Sequence, residues 1–388
     1  MNKFNSIFGQ ILQLFSKVEF YKAVKETEGE KAAKGFTCWQ QFVAMLFCQL
    51  GQAHSLREIC GGLASCFGKL RHLAVESVPK RSTLSYANEH RSWQLYQRIF
   101  YQLLGKCQAM AVGMKKFRFR NKLFSLDATL IELCAGLFDW AKFRQTKGAV
   151  KLHLLLDHEG YLPVFAHVTE GKVHEINIAR KMLFPKGSIV VIDRGYVDYA
   201  LFAIWTEEGV YFVTRQKENA DFKIIEDRGI PQKGNILSDQ VIELEGYYSK
   251  LSYPYQLRRI EVWDDRNKEV IVLLTNHFSF GATTIASIYR DRWQIEIFFK
   301  TIKQNLRIKT FVGTSPNALM IQIWTALIAI LVLKYLKFRS KFGWSLSNLV
   351  AMLRYNLFTY RDLWVWIDNP FEPQPVIEDA EQLSMRLV

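Results

Sequence analysis

Near residue 120 the spacing of apolar residues changes from helical to strand-like, and this break constrains the fold more than any other feature of the chain. Before it, Phe4, Ile7, Phe8, Ile11, Leu12 and Phe15 recur at helical spacing, and "FTCWQQFVAMLFCQL" continues the pattern. After it, "NKLFSLDATLIELC" has the length and alternation of a strand, and "GAVKLHLLLDHEGYLPVFAHVTEG" reads as two strands joined by an Asp-His-Glu-Gly turn. "HEINIARKMLF" then has helical spacing, "SIVVIDRGY" is a short apolar strand ending in a polar turn, "YALFAIWTEEG" is helical, and "VYFVTRQK" is a strand. The order β-β-β-α-β-α-β implies an α/β class with one mixed sheet flanked by helices.

On either side of this core the pattern differs. Residues 1–115 read as an all-helical unit whose last run, "PKRSTLSYANEHRSWQLYQRIFYQLL", follows a proline stop with Ser82 placed as an N-cap. Residues 1–122 hold 19 Lys or Arg against 7 Asp or Glu, so +12 of the formal +14 lies in the first third. A basic helical module joined to a nearly neutral remainder fits a helix-turn-helix-like DNA reader, or else a helical bundle with a solvated basic face. Residues 219–275 alternate and are rich in Tyr, Val and Ile, so an inserted antiparallel β-subdomain is expected between core segments 120–218 and 282–362. The acidic, Pro-rich end, 368–388, is expected to be a peripheral tail.

The six cysteines lack paired CxxC spacing and fit buried reduced thiols rather than a zinc site. "ALMIQIWTALIAILVL", 318–333, falls short of the roughly 20 apolar residues of a membrane span and contains Gln322 and Thr325, so a helix buried in a core is expected. No HExxH, Walker A loop or GxSxG is present, which leaves zinc-peptidase, nucleotide and serine-hydrolase chemistry without support.

Three carboxylates stand out. Asp127 lies mid-strand in "FSLDATL", where an unpaired carboxylate is costly to bury, and Asp193 ends a strand in "VVIDRGY", where open α/β sheets place their ligands. In a ribonuclease-H-like sheet those two strands are neighbours, and two like charges that close call for a cation. Glu296 in "YRDRWQIEIFFKTIKQNL", 289–306, is the candidate third acid. At about 100° per residue, Tyr289, Arg292, Glu296, Lys300 and Lys303 share a stripe about 80° wide, beside an apolar face of Ile295, Phe298, Phe299, Ile302 and Leu306. Three acids would suit two Mg²⁺ ions about 3.5–4 Å apart, the arrangement used for in-line attack at phosphorus. All-oxygen ligands fit Mg²⁺ or Mn²⁺, not zinc.

Tyr289-x2-Arg292-x3-Glu296-x6-Lys303, together with "SLDAT" and "IDRGY", resembles the Y-R-E-K signature and the two aspartate motifs of the insertion-sequence-four family of DDE transposases. "VTEGKVHEI", with Glu175 where Asp is commoner, is similar to that family's next segment, and "FTCWQQFVAMLFCQL", "SLREI" and "STLSYANEHR" resemble the N-terminal domain of its Bacteroides-type members. The resemblance implies a ribonuclease-H-like core with an inserted β-subdomain. It also implies cut-and-paste DNA transposition, with Asp127, Asp193 and Glu296 holding two Mg²⁺, for which Mn²⁺ can substitute. Tyr289, Arg292 and Lys303 would hold phosphates, and Lys300, Arg194, Arg215 and Lys217 would make further backbone contacts. The implied partners are double-stranded DNA, as terminal inverted repeats and target, and a second copy of the chain in the DNA complex, with no membrane. The implied compartment is the bacterial cytoplasm, at the nucleoid when DNA is bound. In relatives a tryptophan near the end of the inserted sheet stacks on a displaced base. "VIVLLTN" here has Ile271 at about that place, and Trp263 is the alternative ring. A nuclease of the same fold that cuts without joining, and a DNA-binding relative without catalysis, are the competing expectations; the presence of all three acids weighs against the second.

Overall fold

The computed structural model describes residues 5–372 apart from 32, 34, 67, 135–141, 145–146, 233 and 306–311. Phe4, Leu306 and the tail beyond 372 lie outside the described residues. Six helices come first: α1 (Ile7–Leu12), α2 (Lys17–Glu26), α3 (Cys38–Leu50), α4 (Leu56–Ser65), α5 (Arg81–His90) and α6 (Gln94–Ala111). The first four begin at hydroxyl caps on Ser6, Ser16, Thr37 and Ser55, each accepting a backbone N–H of the first turn, and Gln40 returns the bond to Thr37 as a capping box. Ser82 is not a cap. α5 starts at Arg81 behind Lys80, and the single run expected from Ser82 is two helices broken at 91–93. The break is tertiary in origin: Asn317 donates to the carbonyls of Asn88 and Arg91 at 2.8 and 2.7 Å, while the Arg91 guanidinium donates to Gln41 and to the Phe36 carbonyl.

The sheet holds ten strands among the described residues: β1 (Leu123–Cys134), β2 (Lys142–Arg144), β3 (Lys147–Asp157), β4 (Leu162–Glu170), β5 (Ile189–Ile192), β6 (Tyr211–Arg215), β7 (Phe222–Asp227), β8 (Ile236–Leu244), β9 (Leu257–Asp264) and β10 (Glu269–Thr275). Their spatial order is β2-β3-β1-β5-β6-β10-β9-β8-β7, with β4 also paired to β3. β1-β5-β6 are parallel neighbours and the rest pair antiparallel. This is a ribonuclease-H-like mixed sheet. The strands within 219–275 are antiparallel, as expected, but they extend the core sheet rather than form one of their own, because β10 pairs with β6 from Leu273↔Arg215 to Thr275↔Val213.

α7 (Ile176–Ala179), α8 (Tyr199–Glu207) and α9 (Tyr247–Ser252) fall within the sheet region, and α10 (Ala282–Asp291), α11 (Trp293–Asn305), α12 (Pro316–Arg339), α13 (Leu346–Asn356) and α14 (Leu363–Asp368) follow it. α7 is a single turn where a longer helix was expected. Beyond it Lys181 and Met182 bond back three residues, and Pro185 disfavours helical backbone at Phe184.

β1 alternates between the two layers. Leu123, Ile131 and Leu133 face α6, α10, α11 and α12, whereas Phe124 and Leu126 pack with Val190, Ile192 and α8. α12 is long and apolar enough to cross a membrane by length and composition, yet it is buried, packed against α3, α6 and α13. One core therefore runs from the N-terminal helices through α12 to the sheet. Cys38, Cys48 and Cys107 are buried thiols outside any disulfide, and Cys60 and Cys66 are partly exposed ones.

Candidate active site

The four residues of β5, Ile189–Ile192, are fully buried, which suits an interior strand of a parallel set. β5 pairs with β1 in register from Leu123↔Ile189 to Leu126↔Ile192. Asp193 directly follows β5 and Asp127 is the next residue of β1, so the two aspartates lie side by side where β5 ends and β1 runs on. Asp193 leads into a tight turn, with Tyr196 N–H bonded to its carbonyl at 3.0 Å.

The third acid arrives on a helix pair. The segment 289–306, expected to be one helix, divides at Arg292 between α10 and α11. Tight three-residue bonds mark the join, from Arg292 N–H to the Tyr289 carbonyl at 3.1 Å and from Ile295 N–H to the Arg292 carbonyl at 3.0 Å. Ile295, Phe298, Phe299 and Ile302 are buried, which fixes the rotation of α11 and turns Glu296 toward β1. Arg292 connects the acids: Nη2 donates to Glu296 Oε1 at 2.7 Å and Nη1 to Asp127 Oδ2 at 3.3 Å. Tyr289 lies on α10 with its ring centroid 5.7 Å from the guanidinium, and Arg292 Nε is buried with no partner among the described residues.

Burial pushes the Asp127 carboxyl up to about 6; the Ala128 N–H and Arg292 pull it down, while the like charges of Asp193 and Glu296 push it further up. Burial also raises the Tyr196 phenol, whose oxygen is buried without a partner among the described residues and feels the charges of Asp127, Glu175 and Asp193. Oxygen donors that repel one another in a half-buried cleft have the chemistry of a hard-cation site. Among the described residues no three His, Cys, Asp or Glu side chains converge tightly enough to ligate one ion together. Asp127 and Glu296 are gathered through Arg292 instead.

The remaining candidates are scattered around this centre. A cleft of about 610 Å³ is lined by Asp193, Arg215, Tyr289 and Arg292 together with Trp263, Ile271 and Trp293. Arg215 ends β6 at 3.5 Å from Glu269. Arg194 pairs with Glu218 at 2.7 Å and Lys217 donates to the Val197 carbonyl at 3.1 Å, both in a separate depression beside the β5 turn. Lys300 is exposed on α11, and Lys303 lies in its last turn. Trp293, 57% exposed at the start of α11, was not singled out from sequence as a site residue.

Also absent from the sequence expectations is a buried polar cluster behind the acids. Asp291, 2% exposed, accepts from Lys116 Nζ at 2.6 Å and from Tyr161 Oη at 3.0 Å, and lies 2.7 Å from His158 Nδ1; His158 Nε2 is 2.7 Å from Ser125 Oγ. Burial alone would raise the Asp291 carboxyl, but hydrogen bonds from His158 and Lys116 hold it below the usual range. The cluster joins the residue before Arg292 to β1 two positions before Asp127. Glu175 lies 2.7 Å from Lys151 Nζ, on β3.

A family model described as a transposase DDE domain matches residues 118–332, more than half of the chain, and a model of a domain of unknown function, DUF4372, matches residues 3–75. The protein named as transposase y4zB of Sinorhizobium fredii (strain NBRC 101917 / NGR234) is 29% identical over 312 residues, covering 79% of this chain and 85% of that one. The transposase ascribed to insertion sequence element IS5377 of Geobacillus stearothermophilus is 27% identical over 262 residues, 67% of this chain and 68% of that one. Among solved structures, a piggyBac transposase synaptic complex with hairpin DNA aligns with 96% of this chain and 81% of its own at a TM-score of 0.42 and 9% identity.

Proposed function

The chain belongs to the DDE transposase family and is an insertion-sequence transposase, and on that premise we propose that Asp127, Asp193 and Glu296 are its catalytic carboxylates. The observation that carries the assignment is the approach of three elements: β1 at Asp127, the end of β5 before Asp193, and α11, whose Glu296 is linked to Asp127 through Arg292. Two Mg²⁺ ions, or Mn²⁺ in their place, held by these carboxylates would activate the attacking oxygen and neutralise the leaving one.

The reaction is cut-and-paste transposition. In the first step a water oxygen attacks phosphorus at the element's end, the bond to the 3′-oxygen breaks, and a free 3′-hydroxyl and a 5′-phosphate result. In the second that hydroxyl attacks a target phosphorus and displaces the target's own 3′-oxygen. The chain's part is to hold phosphates in line. Arg292 presents a planar fork suited to two phosphate oxygens. Tyr289 and Lys303 flank it on the same helix pair, and Arg215 lines the same cleft. Lys300, Arg194 and Lys217 would meet the backbone farther out. Trp263 and Trp293, both on the cleft, are the rings available to stack on a displaced base.

Residues 1–115 serve as the DNA-binding unit, 219–275 as the inserted β-subdomain, and two copies of the chain join the two terminal repeats. The working compartment is the bacterial cytoplasm, at the nucleoid when DNA is bound. Purified protein incubated with Mg²⁺, a fragment bearing the flanking element's ends and a supercoiled target plasmid should yield both excised ends and joined products. Cut ends without joined product would support the nuclease-only alternative.

A further inference from the structure

Between Glu89 and Asp127 the chain contains no acidic residue, and its densest basic stretch, "KKFRFRNK", residues 115–122, connects α6 to β1. Its side chains divide into two sets. Phe117 and Phe119 turn inward, stacked on each other at 5.2 Å, with Phe119 against Phe280 at 5.0 Å, on the core that α10 closes. The three lysines are spent on holding the strap down: Lys116 on Asp291 at 2.6 Å, Lys122 on Glu159 at 2.6 Å and Asp157 at 3.5 Å, and Lys115 near Glu159 at 3.9 Å. Asn121 adds a bond to the Gly187 carbonyl at 2.6 Å. Arg118 and Arg120 remain, exposed and without a hydrogen bond or ion pair among the described residues.

We propose that Arg118 and Arg120 form a phosphate-binding rail that takes the sugar-phosphate backbone of duplex DNA leading into the carboxylate cleft, a role that rests on the transposase reading above. The strap is pinned at both ends, so the backbone that presents the two guanidiniums is in place before any partner arrives. At the Lys116 end it touches Asp291, the neighbour of Arg292, so a duplex lying along it is led to the cleft. Arg290, exposed at the cleft and without an ion pair among the described residues, continues the positive track on the other side of Asp291. Side-chain cations that contribute nothing to the fold yet are presented by a tightly anchored strap suit backbone contact, which positions DNA without reading its sequence.

The test is fluorescence anisotropy of the full-length protein, across a sodium chloride series, on two labelled duplexes: one with the element's terminal sequence and one of equal length with that sequence scrambled. The rail predicts that Arg118→Ala/Arg120→Ala makes the plot of log K against log salt shallower by about 1.8 on both duplexes, since each phosphate left without its arginine takes about 0.9 from the slope. The melting temperature should stay at the wild-type value, and Arg118→Lys/Arg120→Lys should keep most of the slope. Lys250→Ala, an exposed change on α9, serves as the control and should leave the slope as it was. A steep wild-type slope that the double alanine variant leaves unchanged, or a loss confined to the terminal sequence, would overturn the rail and leave the transposase reading standing. A flat wild-type slope on both duplexes would overturn the two together.

Discussion

Arg292 Nη2 donates to Glu296 Oε1 at 2.7 Å, one turn along the helix pair, while its Nη1 reaches Asp127 Oδ2 at 3.3 Å on the first strand of the sheet. One side chain thus ties the helix-borne acid to a strand-borne one. A planar two-pronged donor holds both acids at fixed angles, which an ammonium on a flexible stem does not. Arg292→Lys should therefore lower single-turnover cleavage at the element's end by about 100-fold, the scale of removing one oriented donor from a transition-state site. End binding should weaken far less. A lysine variant that cleaves at the wild-type rate would remove the bridging geometry from the account.

Asp291 gives a stability prediction. It is buried against Lys116, His158 and Tyr161, and Asp291→Asn removes the charge that those groups surround. Breaking a buried pair costs about 3–5 kcal/mol, and because Lys116 is half exposed we expect about 2–3 kcal/mol in chemical denaturation. The sign with pH follows from the depressed carboxyl. Its stabilisation is complete above the unfolded value, about 3.9, and is lost as pH falls through the lower folded value. Wild type should lose stability across that acid window, and the asparagine variant should lose less. Equal acid slopes would contradict the assignment.

How far these relationships were legible in the sequence depended on their range. The pairing of β1 with β5 was expected because a wholly apolar run ending in Asp, after three strands and a helix, fits few places in an α/β sheet. The rotation of α11 followed from the spacing of Ile295, Phe298, Phe299 and Ile302. The division of the helix at Arg292 was not visible, since no Gly or Pro marks it and Arg292 itself keeps helical angles. Asn317 ends α5 from more than two hundred residues away, and His158 meets Asp291 across 133 positions; local spacing carries no trace of either. Nor did alternation alone show that β10 would join β6 and make the insertion part of the core sheet.

Lys334, buried on α12, predicts an alkaline effect far from the cleft. Burial pulls its ammonium down to about 7, Lys337 acts in the same direction and Cys107 opposes, while Nζ donates to the Gly160 carbonyl at 3.0 Å. Below that pH the cost of burying the charge is present in full, and it fades as pH rises from about 7 toward the unfolded value near 10.4. This group therefore makes wild type gain stability over that range, and Lys334→Met should flatten the gain in denaturant titrations at pH 7, 8 and 9. A methionine variant with the wild-type slope would show that the ammonium is solvated.

The central claim is that Glu296 completes a catalytic set with Asp127 and Asp193, and it is tested most directly by the carboxamide variant. In Mg²⁺, with DNA carrying the element's end, Glu296→Gln should bind that end as wild type does while strand cleavage falls to background. Cleavage by Glu296→Gln at a rate near wild type, with end binding intact, would contradict the claim.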